Sequence, residues 1–342
     1  MGNILILGAG SMGTAFSFPC SDNGHSVSII GTHLENDFID KINSTRKHPA
    51  LDCEVQENVK FFKFEQLKEE INKKIDLIVI AVVSKGIEWV SNEISKVLKN
   101  NIPILILTKG LSINNNNLEV LAHKMERLLK KNGMKEVNIS AAGGPCLAKN
   151  LANKAHTAVV FANNDIKIAE KISKLVSTDY YHVSTSDDVV GVEACAAIKN
   201  IFSMAVGASQ GLCDANQSKE KNYLNTAAAL IQESIYEMIS FVGKLKGKKE
   251  TVIGLAGIGD LYVSADGGRN SKMGEYLGQG MTFQEAKKTK MPNITVEGAD
   301  LALEIGAKIK NDFDSKTLPL MISMIDTICE EKPLKINWKN FK

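Results

Sequence analysis

The stretch NILILGAGSMG, residues 3–13, decides the fold of this chain. Its first five residues form a short apolar run of the kind that a fully buried parallel strand requires. Gly8, Gly10 and Gly13 follow with G-x-G-x-x-G spacing, and a helical pattern comes next. The first glycine permits a tight turn, the second lets a pyrophosphate approach the backbone, and the third lets helix and strand pack closely. The stretch therefore predicts a dinucleotide-binding turn.

Outward from this turn, apolar runs alternate with helical patterns as far as residue 183, which predicts a doubly wound parallel sheet. From residue 184 the strand signal fades, and the apolar spacing of the later segments is helical. We therefore expect an α/β fold with two domains, a dinucleotide-binding domain at 1–183 and a helical domain at 184–342. Strands are predicted at 26–30, 59–62, 76–83, 102–107, 137–142, 157–161 and 180–183, and later helices at 227–244, 296–309 and 318–328.

Composition excludes several classes of protein. The 342 residues are 44% hydrophobic and 23% charged, with a formal net charge of +2, so no basic footprint for nucleic acid is present. The six cysteines include no CxxC pair and no histidine at ligand spacing, which predicts neither a metal site nor a disulfide framework. The chain begins directly in a strand pattern and its apolar runs have strand length. We therefore expect a cytoplasmic protein with no membrane span.

The end of the second strand is the place where a dinucleotide fold binds the adenosine ribose. An acid there accepts bonds from ribose hydroxyls, and an arginine accommodates a 2′-phosphate. Here the strand is followed by Gly31, Thr32 and His33, and Glu35 lies two residues later than His33. His33 could contact either group, so the choice between NAD and NADP stays open.

A second informative stretch, GVEACAAIKNIFSMAVGAS at 191–209, is an apolar helical run with Lys199 in its middle. At about 100° per residue, Glu193, Lys199, Asn200 and Ser203 share one narrow polar stripe. A buried ammonium is costly unless it is paired, and burial lowers the pKa of a lysine towards neutrality. Two interpretations stay open: a chemically active buried lysine, or a lysine that extends to the surface at the helix edge.

Other candidate residues lie in glycine-containing turns. Lys109 follows the strand at 102–107, and a turn containing Cys146 follows the strand at 137–142. Asp260 lies in the predicted turn GLAGIGDL, and Arg269 with Asn270 lies in the predicted turn SADGGRNSKMG. A guanidinium beside an amide suits a phosphate or carboxylate, although an ordinary salt bridge is the alternative.

In order and approximate spacing, these motifs resemble the NAD(P)-dependent glycerol-3-phosphate dehydrogenases over nearly the whole chain. The shared segments are GAGSMGTAFS, TKG, GGPCLA, TSDDVVGVE, AAIKNIFSMAVGAS, GLAGIGDL, GRN and VEG. The resemblance implies a Rossmann-type domain followed by an all-α domain like the C-terminal domain of 6-phosphogluconate dehydrogenase. It also implies reversible reduction of dihydroxyacetone phosphate to sn-glycerol 3-phosphate with NADH or NADPH. A cytoplasmic homodimer that serves glycerophospholipid metabolism is expected.

Site residues follow from the same resemblance. Lys199 matches the catalytic lysine, and Asp260 matches an acid that contacts and positions the substrate. The implied substrate-binding residues are Lys109, Gly144, Cys146, Lys199, Asp260, Gly268, Arg269 and Asn270, and the implied cofactor-binding residues are Gly8, Gly10, Ser11, Met12, Gly13, His33, Lys109, Ala148, Arg269 and Glu297.

The chain departs from the family pattern at several positions. Cys146 and Asn150 stand where a serine and a glutamate are usual, Gly268 replaces a serine, and Met12 replaces a frequent aromatic residue. The GGRN form is similar to that of some archaeal members. Two alternatives remain: a dehydrogenase of hydroxy acids or sugar acids, which GRN and TKG disfavour, and a nicotinamide-sensing binding protein. Retention of Lys199 with Asp260 disfavours the second.

Overall fold

The computed structural model describes residues 1–98, 101–214 and 223–341, and the chain divides into two compact units. The sheet unit comprises Met1–Lys109 and Val120–Val189, and the helical unit comprises Gly110–Glu119 and Val190–Lys342. The predicted boundary between residues 183 and 184 falls inside the last strand of the sheet, which continues to Ser186. The chain therefore divides six residues later than expected, after Val189.

The sheet unit is built on eight strands in the order β3-β2-β1-β4-β5-β8-β9-β10. The first six of these are parallel neighbours, in the strand order that dinucleotide-binding folds adopt. Leu5, Ile6 and Val79 are completely buried, as expected for strands covered on both faces. The strands of the described chain are β1 (Asn3–Leu7), β2 (Ser26–Ile30), β3 (Val59–Phe62), β4 (Leu77–Ile80), β5 (Ile104–Ile106), β6 (Leu111–Asn114), β7 (Asn117–Val120), β8 (Ile139–Gly143), β9 (Thr157–Ala162) and β10 (Tyr181–Ser186).

One pairing departs from the predicted parallel sheet. β8 and β9 are antiparallel, with Ala142 opposite Phe161, whereas β9 and β10 are parallel again. The connection from β8 to β9 contains only a five-residue helix, which is too short to return the chain to the opposite end of the sheet. The chain therefore enters β9 at the edge where it left β8.

Helices cover the sheet and form most of the helical unit, as the sequence predicts. In the sheet unit they are α1 (Ser11–Asp22), α2 (Asn36–Thr45), α3 (Leu67–Ile71), α4 (Ile87–Val97), α5 (Leu121–Lys131), α6 (Ala148–Ala152) and α7 (Ile166–Val176). In the helical unit they are α8 (Val189–Asp214), α9 (Leu224–Lys244), α10 (Lys249–Val252), α11 (Asp260–Ala265), α12 (Arg269–Gly278), α13 (Phe283–Thr289), α14 (Glu297–Asp312) and α15 (Pro319–Cys329).

A β-hairpin lies between β5 and α5. Asn115 and Asn116 both have positive φ, 47° and 59°, and they join β6 to β7 in a two-residue turn. Positive φ at both central residues is the geometry that asparagine tolerates in a tight hairpin. The hairpin belongs to the helical unit, where β6 packs on α14, although the flanking chain belongs to the sheet unit.

The helix α8 is the core of the helical unit. By length and composition its residues Val189–Cys213 could cross a membrane, but 94% of the most apolar window is buried inside the protein. The side chains of Ile198, Ile201, Phe202 and Met204 have no exposed surface. The apolar composition of α8 is therefore explained by packing against the other helices of its own unit.

Candidate active site

The three glycines after β1 have the geometry that their spacing predicts. Gly8 has φ +109°, and a Cβ added there would lie 2.7 Å from the Ala81 carbonyl oxygen. A Cβ on Gly13 would lie 2.2 Å from the Gly8 carbonyl oxygen, so α1 packs directly on the turn. Among the described residues, none has an atom within 4 Å of a Cβ built on Gly10. The turn thus leaves its backbone open at the middle glycine and fits a dinucleotide pyrophosphate at the start of α1.

Glu35 follows the end of β2, two residues later than His33. Its side chain folds back towards the glycine turn. Glu35 Oε2 accepts a hydrogen bond from the backbone N–H of Thr32 at 2.7 Å and one from Ala9 at 3.4 Å. The exposed ring of His33 lies against Trp89, with 5.0 Å between the ring centroids. Both residues therefore lie at the carboxyl end of β2, where a dinucleotide ribose is bound in this fold.

Two further strand ends carry predicted residues of the sheet unit. Thr108 follows β5 and donates its hydroxyl proton to the Val82 carbonyl at 2.6 Å, which places the half-buried Lys109 directly after this anchored residue. Gly144 follows β8 with φ +112°. Cys146 is half-buried beyond it, and Ala148 begins α6.

In the helical unit, Lys199 is buried and paired. Only 6% of Lys199 is exposed, and its Nζ donates to Asp260 Oδ1, which belongs to a residue only 1% exposed. Nζ also donates to Ser264 Oγ at 2.6 Å. The interpretation of Lys199 as a lysine that extends to the surface is therefore wrong. A lysine held by a carboxylate and a hydroxyl has the geometry of a positioned proton donor.

Asp260 reaches this lysine from a helix start rather than from the predicted glycine turn. It is the first residue of α11 and follows a single turn of π-helix at Leu255–Gly259. A Cβ on Gly257 would lie 1.9 Å from the Val252 carbonyl oxygen, so the wide turn requires glycine there. Such π-turns occur frequently at functional sites. Ser264 lies one helical turn beyond Asp260, and the two side chains therefore point the same way.

Arg269 and Asn270 are likewise the first two residues of a helix, α12, with Gly268 as its N-cap. The prediction that they lie in a turn is therefore wrong. The N–H groups of a first helical turn have no partner within the helix and attract anions. Arg269 Nη2 donates to Glu297 Oε1 at 2.6 Å, and both side chains are about half exposed. Arg269 thus adds a guanidinium to a helix N-terminus.

The amide of Asn270 binds protein groups. Its Nδ2 donates to Asn200 Oδ1 at 3.1 Å, and its Oδ1 accepts the N–H of Gly298 at 2.9 Å. Asn270 therefore ties α12 to α8 and α14. Ser203, another member of the polar stripe on α8, donates its Oγ proton to the Asn200 carbonyl at 3.0 Å.

Glycines bring these helices into backbone contact. A Cβ on Gly274 would lie 1.8 Å from the Met204 carbonyl oxygen, and a Cβ on Gly207 would lie 2.1 Å from that of Ser271. Gly298 approaches the Asn200 carbonyl in the same way, at 2.4 Å. The contacts therefore fix Lys199 on α8 relative to Arg269 on α12 and Glu297 on α14. The sequence motifs predict neither this backbone packing nor a role for Ser264.

The predicted residues are divided between the two units. Of the substrate-binding set, Lys109, Gly144 and Cys146 belong to the sheet unit and the other five belong to the helical unit. Of the cofactor-binding set, only Arg269 and Glu297 belong to the helical unit. Within the helical unit the structure brings Lys199 together with Asp260, and Arg269 together with Glu297.

An open glycine turn on a Rossmann-ordered sheet, in a chain with a buried lysine held by an aspartate and a serine, defines the class of nicotinamide-dependent dehydrogenases. The family is shown by two models, which match residues 3–169 and 188–338. They describe the N-terminus and the C-terminus of NAD-dependent glycerol-3-phosphate dehydrogenase. The chain belongs to this family.

Relatives match over most of their length. The NADP(+)-dependent glycerol-3-phosphate dehydrogenase of Archaeoglobus fulgidus is 32% identical, over 90% of this chain and 91% of that protein. The glycerol-3-phosphate dehydrogenase [NAD(P)+] of Fusobacterium nucleatum is 31% identical, over 87% and 84%. The crystal structure of glycerol-3-phosphate dehydrogenase from Coxiella burnetii is similar with a TM-score of 0.80 and 27% identity, covering 97% of this chain and 96% of that one.

Proposed function

We propose that this protein reduces dihydroxyacetone phosphate to sn-glycerol 3-phosphate, reversibly, with NADH or NADPH. The observation that carries the proposal is the buried bond between Lys199 and Asp260, with Ser264 as the second partner of the same Nζ. A lysine so placed is available for proton transfer to a carbonyl oxygen.

The substrate phosphate binds at the start of α12 in this proposal. Arg269 is the first residue of that helix, so its guanidinium and the first N–H groups attract the same anion. Asn270 contributes its backbone N–H, because its side chain is bonded to Asn200 and Gly298. Gly268 is the N-cap of this helix, and a Cβ there would lie 3.2 Å from the Ser264 carbonyl oxygen. Lys109, Gly144 and Cys146 of the sheet unit complete the proposed substrate-binding set.

The cofactor is held by the turn at Gly8, Gly10 and Gly13, whose open middle glycine fits a pyrophosphate. When bound, the nicotinamide supplies the hydride for the carbonyl carbon. Lys199 gives a proton to the oxygen that becomes the alkoxide, and in the oxidation direction it takes that proton back. Asp260 holds the ammonium in position. Further proposed cofactor contacts are Ser11, Met12, His33, Lys109, Ala148, Arg269 and Glu297.

The decisive experiment is an assay of the purified protein with dihydroxyacetone phosphate, following the oxidation of NADH and of NADPH separately. We expect turnover with dihydroxyacetone phosphate and little with unphosphorylated dihydroxyacetone, because Arg269 and the start of α12 bind the phosphate. Equal turnover of both ketones would exclude the phosphate site. Cofactor binding without turnover of either ketone would contradict the proposed reaction.

We also infer a cytoplasmic homodimer that supplies glycerol phosphate for glycerophospholipid metabolism. The side chains of Cys20, Cys53 and Cys329 are thiols, which fits a reducing compartment. Light scattering should give twice the 37.2 kDa of one chain, and a mass of one chain would contradict the dimer.

A further inference from the structure

We propose that Glu35 makes this enzyme select NADH over NADPH. The inference rests on the proposed function in that it names which of the two cofactors the dehydrogenase uses. Glu35 lies five residues after β2, later than the position at which an acid usually meets the ribose. Its side chain returns to the glycine turn, because Oε2 accepts the N–H groups of Thr32 and Ala9.

The position of this carboxylate suits ribose hydroxyls. Ala9 lies between Gly8 and Gly10 in the cofactor turn, so a group bonded to its N–H lies beside the turn itself. Both bonds use Oε2, and within the described part of the chain Glu35 Oε1 makes no hydrogen bond. An ionised carboxylate only accepts hydrogen bonds. A ribose hydroxyl can donate to Oε1, whereas a 2′-phosphate would bring a second anion to it.

Charge around the end of β2 adds to this discrimination. Residues 31–40 contain three acids, Glu35, Asp37 and Asp40, and neither lysine nor arginine. Lys63 reaches this segment, but its Nζ is paired with Asp40 Oδ2 at 2.7 Å. The local charge is therefore negative, which disfavours a 2′-phosphate.

The arginine that ends α2 is used elsewhere. Arg46 Nη2 donates to the carbonyl oxygens of Val55 at 3.1 Å and Val59 at 3.0 Å. Its guanidinium also lies over the ring of Phe61, 5.9 Å from the centroid. These contacts hold the segment after α2 in place, so Arg46 serves the fold and is not directed to a cofactor phosphate.

His48 is neutral at pH 7 and adds no positive charge near Glu35. His48 Nδ1 accepts the N–H of Ala50 at 3.1 Å, and the ring also bonds to the backbone of Ala9. Burial lowers the pKa of His48 below its ordinary value, and the nearby Glu35 carboxylate only partly opposes this effect. His48 therefore supports the turn from its other side without adding a positive charge.

The test compares kcat/KM for NADH and NADPH, with dihydroxyacetone phosphate saturating, in the wild type and in Glu35→Gln. Glutamine keeps an oxygen for the Thr32 N–H but removes the charge. We expect the wild type to prefer NADH by at least ~10-fold, and Glu35→Gln to shift the ratio towards NADPH by at least ~10-fold. The matched control Glu69→Gln removes an exposed charge from α3 and should leave the ratio unchanged.

Direct binding separates this inference from the proposed function. Dissociation constants for NADH and NADPH, measured by fluorescence without substrate, should show the same preference and the same shift in Glu35→Gln. If the preference holds while dihydroxyacetone phosphate is not reduced, the reaction is wrong and the role of Glu35 stands. A wild type that prefers NADPH, or a correctly folded Glu35→Gln with an unchanged ratio, would overturn the inference.

Discussion

Replacement of Lys199 with alanine is expected to lower kcat for dihydroxyacetone phosphate reduction by about 10²–10⁴-fold, because the variant loses the proton donor. NADH affinity should be nearly unchanged, since the glycine turn that we propose as the cofactor site belongs to the sheet unit. Stopped-flow single-turnover kinetics with dihydroxyacetone phosphate and fluorescence titration with NADH measure the two quantities on the same preparation. A loss of kcat without a loss of NADH affinity would separate proton transfer from cofactor binding.

A second variant, Lys199→Arg, distinguishes a loss of proton transfer from a loss of folding. In Lys199→Ala the buried Asp260 loses its ammonium partner, and removing one member of a buried ion pair is strongly destabilising. Lys199→Arg keeps a cation beside Asp260, but a guanidinium cannot release its proton in proteins. We expect Lys199→Arg to be inactive although folded, and Lys96→Arg on the exposed face of α4 to be fully active. Wild-type kcat in a folded Lys199→Arg would remove Lys199 from the mechanism.

Local patterns in the sequence predict the parts of this structure that depend on neighbouring residues. The strand, turn and helix at residues 3–13 agree with the structure, because glycine spacing and apolar runs determine backbone geometry over a few residues. The helical run at 191–209, which lies within α8, and the strands β1, β2 and β3 are also predicted correctly. The family resemblance then assigns Lys199 and Asp260 to the same active site, whereas the spacing alone leaves them unconnected.

The parts that the sequence analysis misses depend on contacts between distant segments. Ser264 lies 65 residues after Lys199, and only the packing of α11 against α8 makes it a partner of the same ammonium. The π-helix before Asp260 reads in the sequence as a glycine-rich turn, because glycine is common in both. The antiparallel pairing of β8 with β9 depends on the path of the intervening chain.

Two missed features do have a local signal. The hairpin of β6 and β7 turns at Asn115 and Asn116, and asparagines between two short runs of strand-forming residues predict a two-residue turn. The packing of α8 on α12 is marked by glycines four residues apart on each helix, at 207 and 211 and at 274 and 278. Such spacing puts both glycines on one face, where another backbone can approach.

The second large effect is expected for Gly274→Ala, which alters this contact between α8 and α12. The new Cβ would lie 1.8 Å from the Met204 carbonyl oxygen, and the backbone of a buried helix cannot rotate away as a side chain would. Overpacking of a core costs about 1–3 kcal/mol, and more where no atom can yield. We expect the free energy of unfolding to fall by about 3 kcal/mol or more, read from the urea midpoint at an unchanged slope.

Gly243→Ala is the matched control, and we expect it to change the free energy of unfolding in the opposite direction. Gly243 lies inside α9, and no described residue has an atom within 4 Å of a Cβ built there. Gly243→Ala should therefore stabilise the protein by about 0.5–1 kcal/mol through a better helix propensity. The value of kcat/KM should change in Gly274→Ala but not in Gly243→Ala. Gly274→Ala separates α12, which carries Arg269, from α8, which carries Lys199, and a displacement of about 1 Å can cost 10²-fold in rate. If Gly274→Ala unfolded at the wild-type midpoint with unchanged kcat/KM, backbone contact between these helices would not be what positions the two residues.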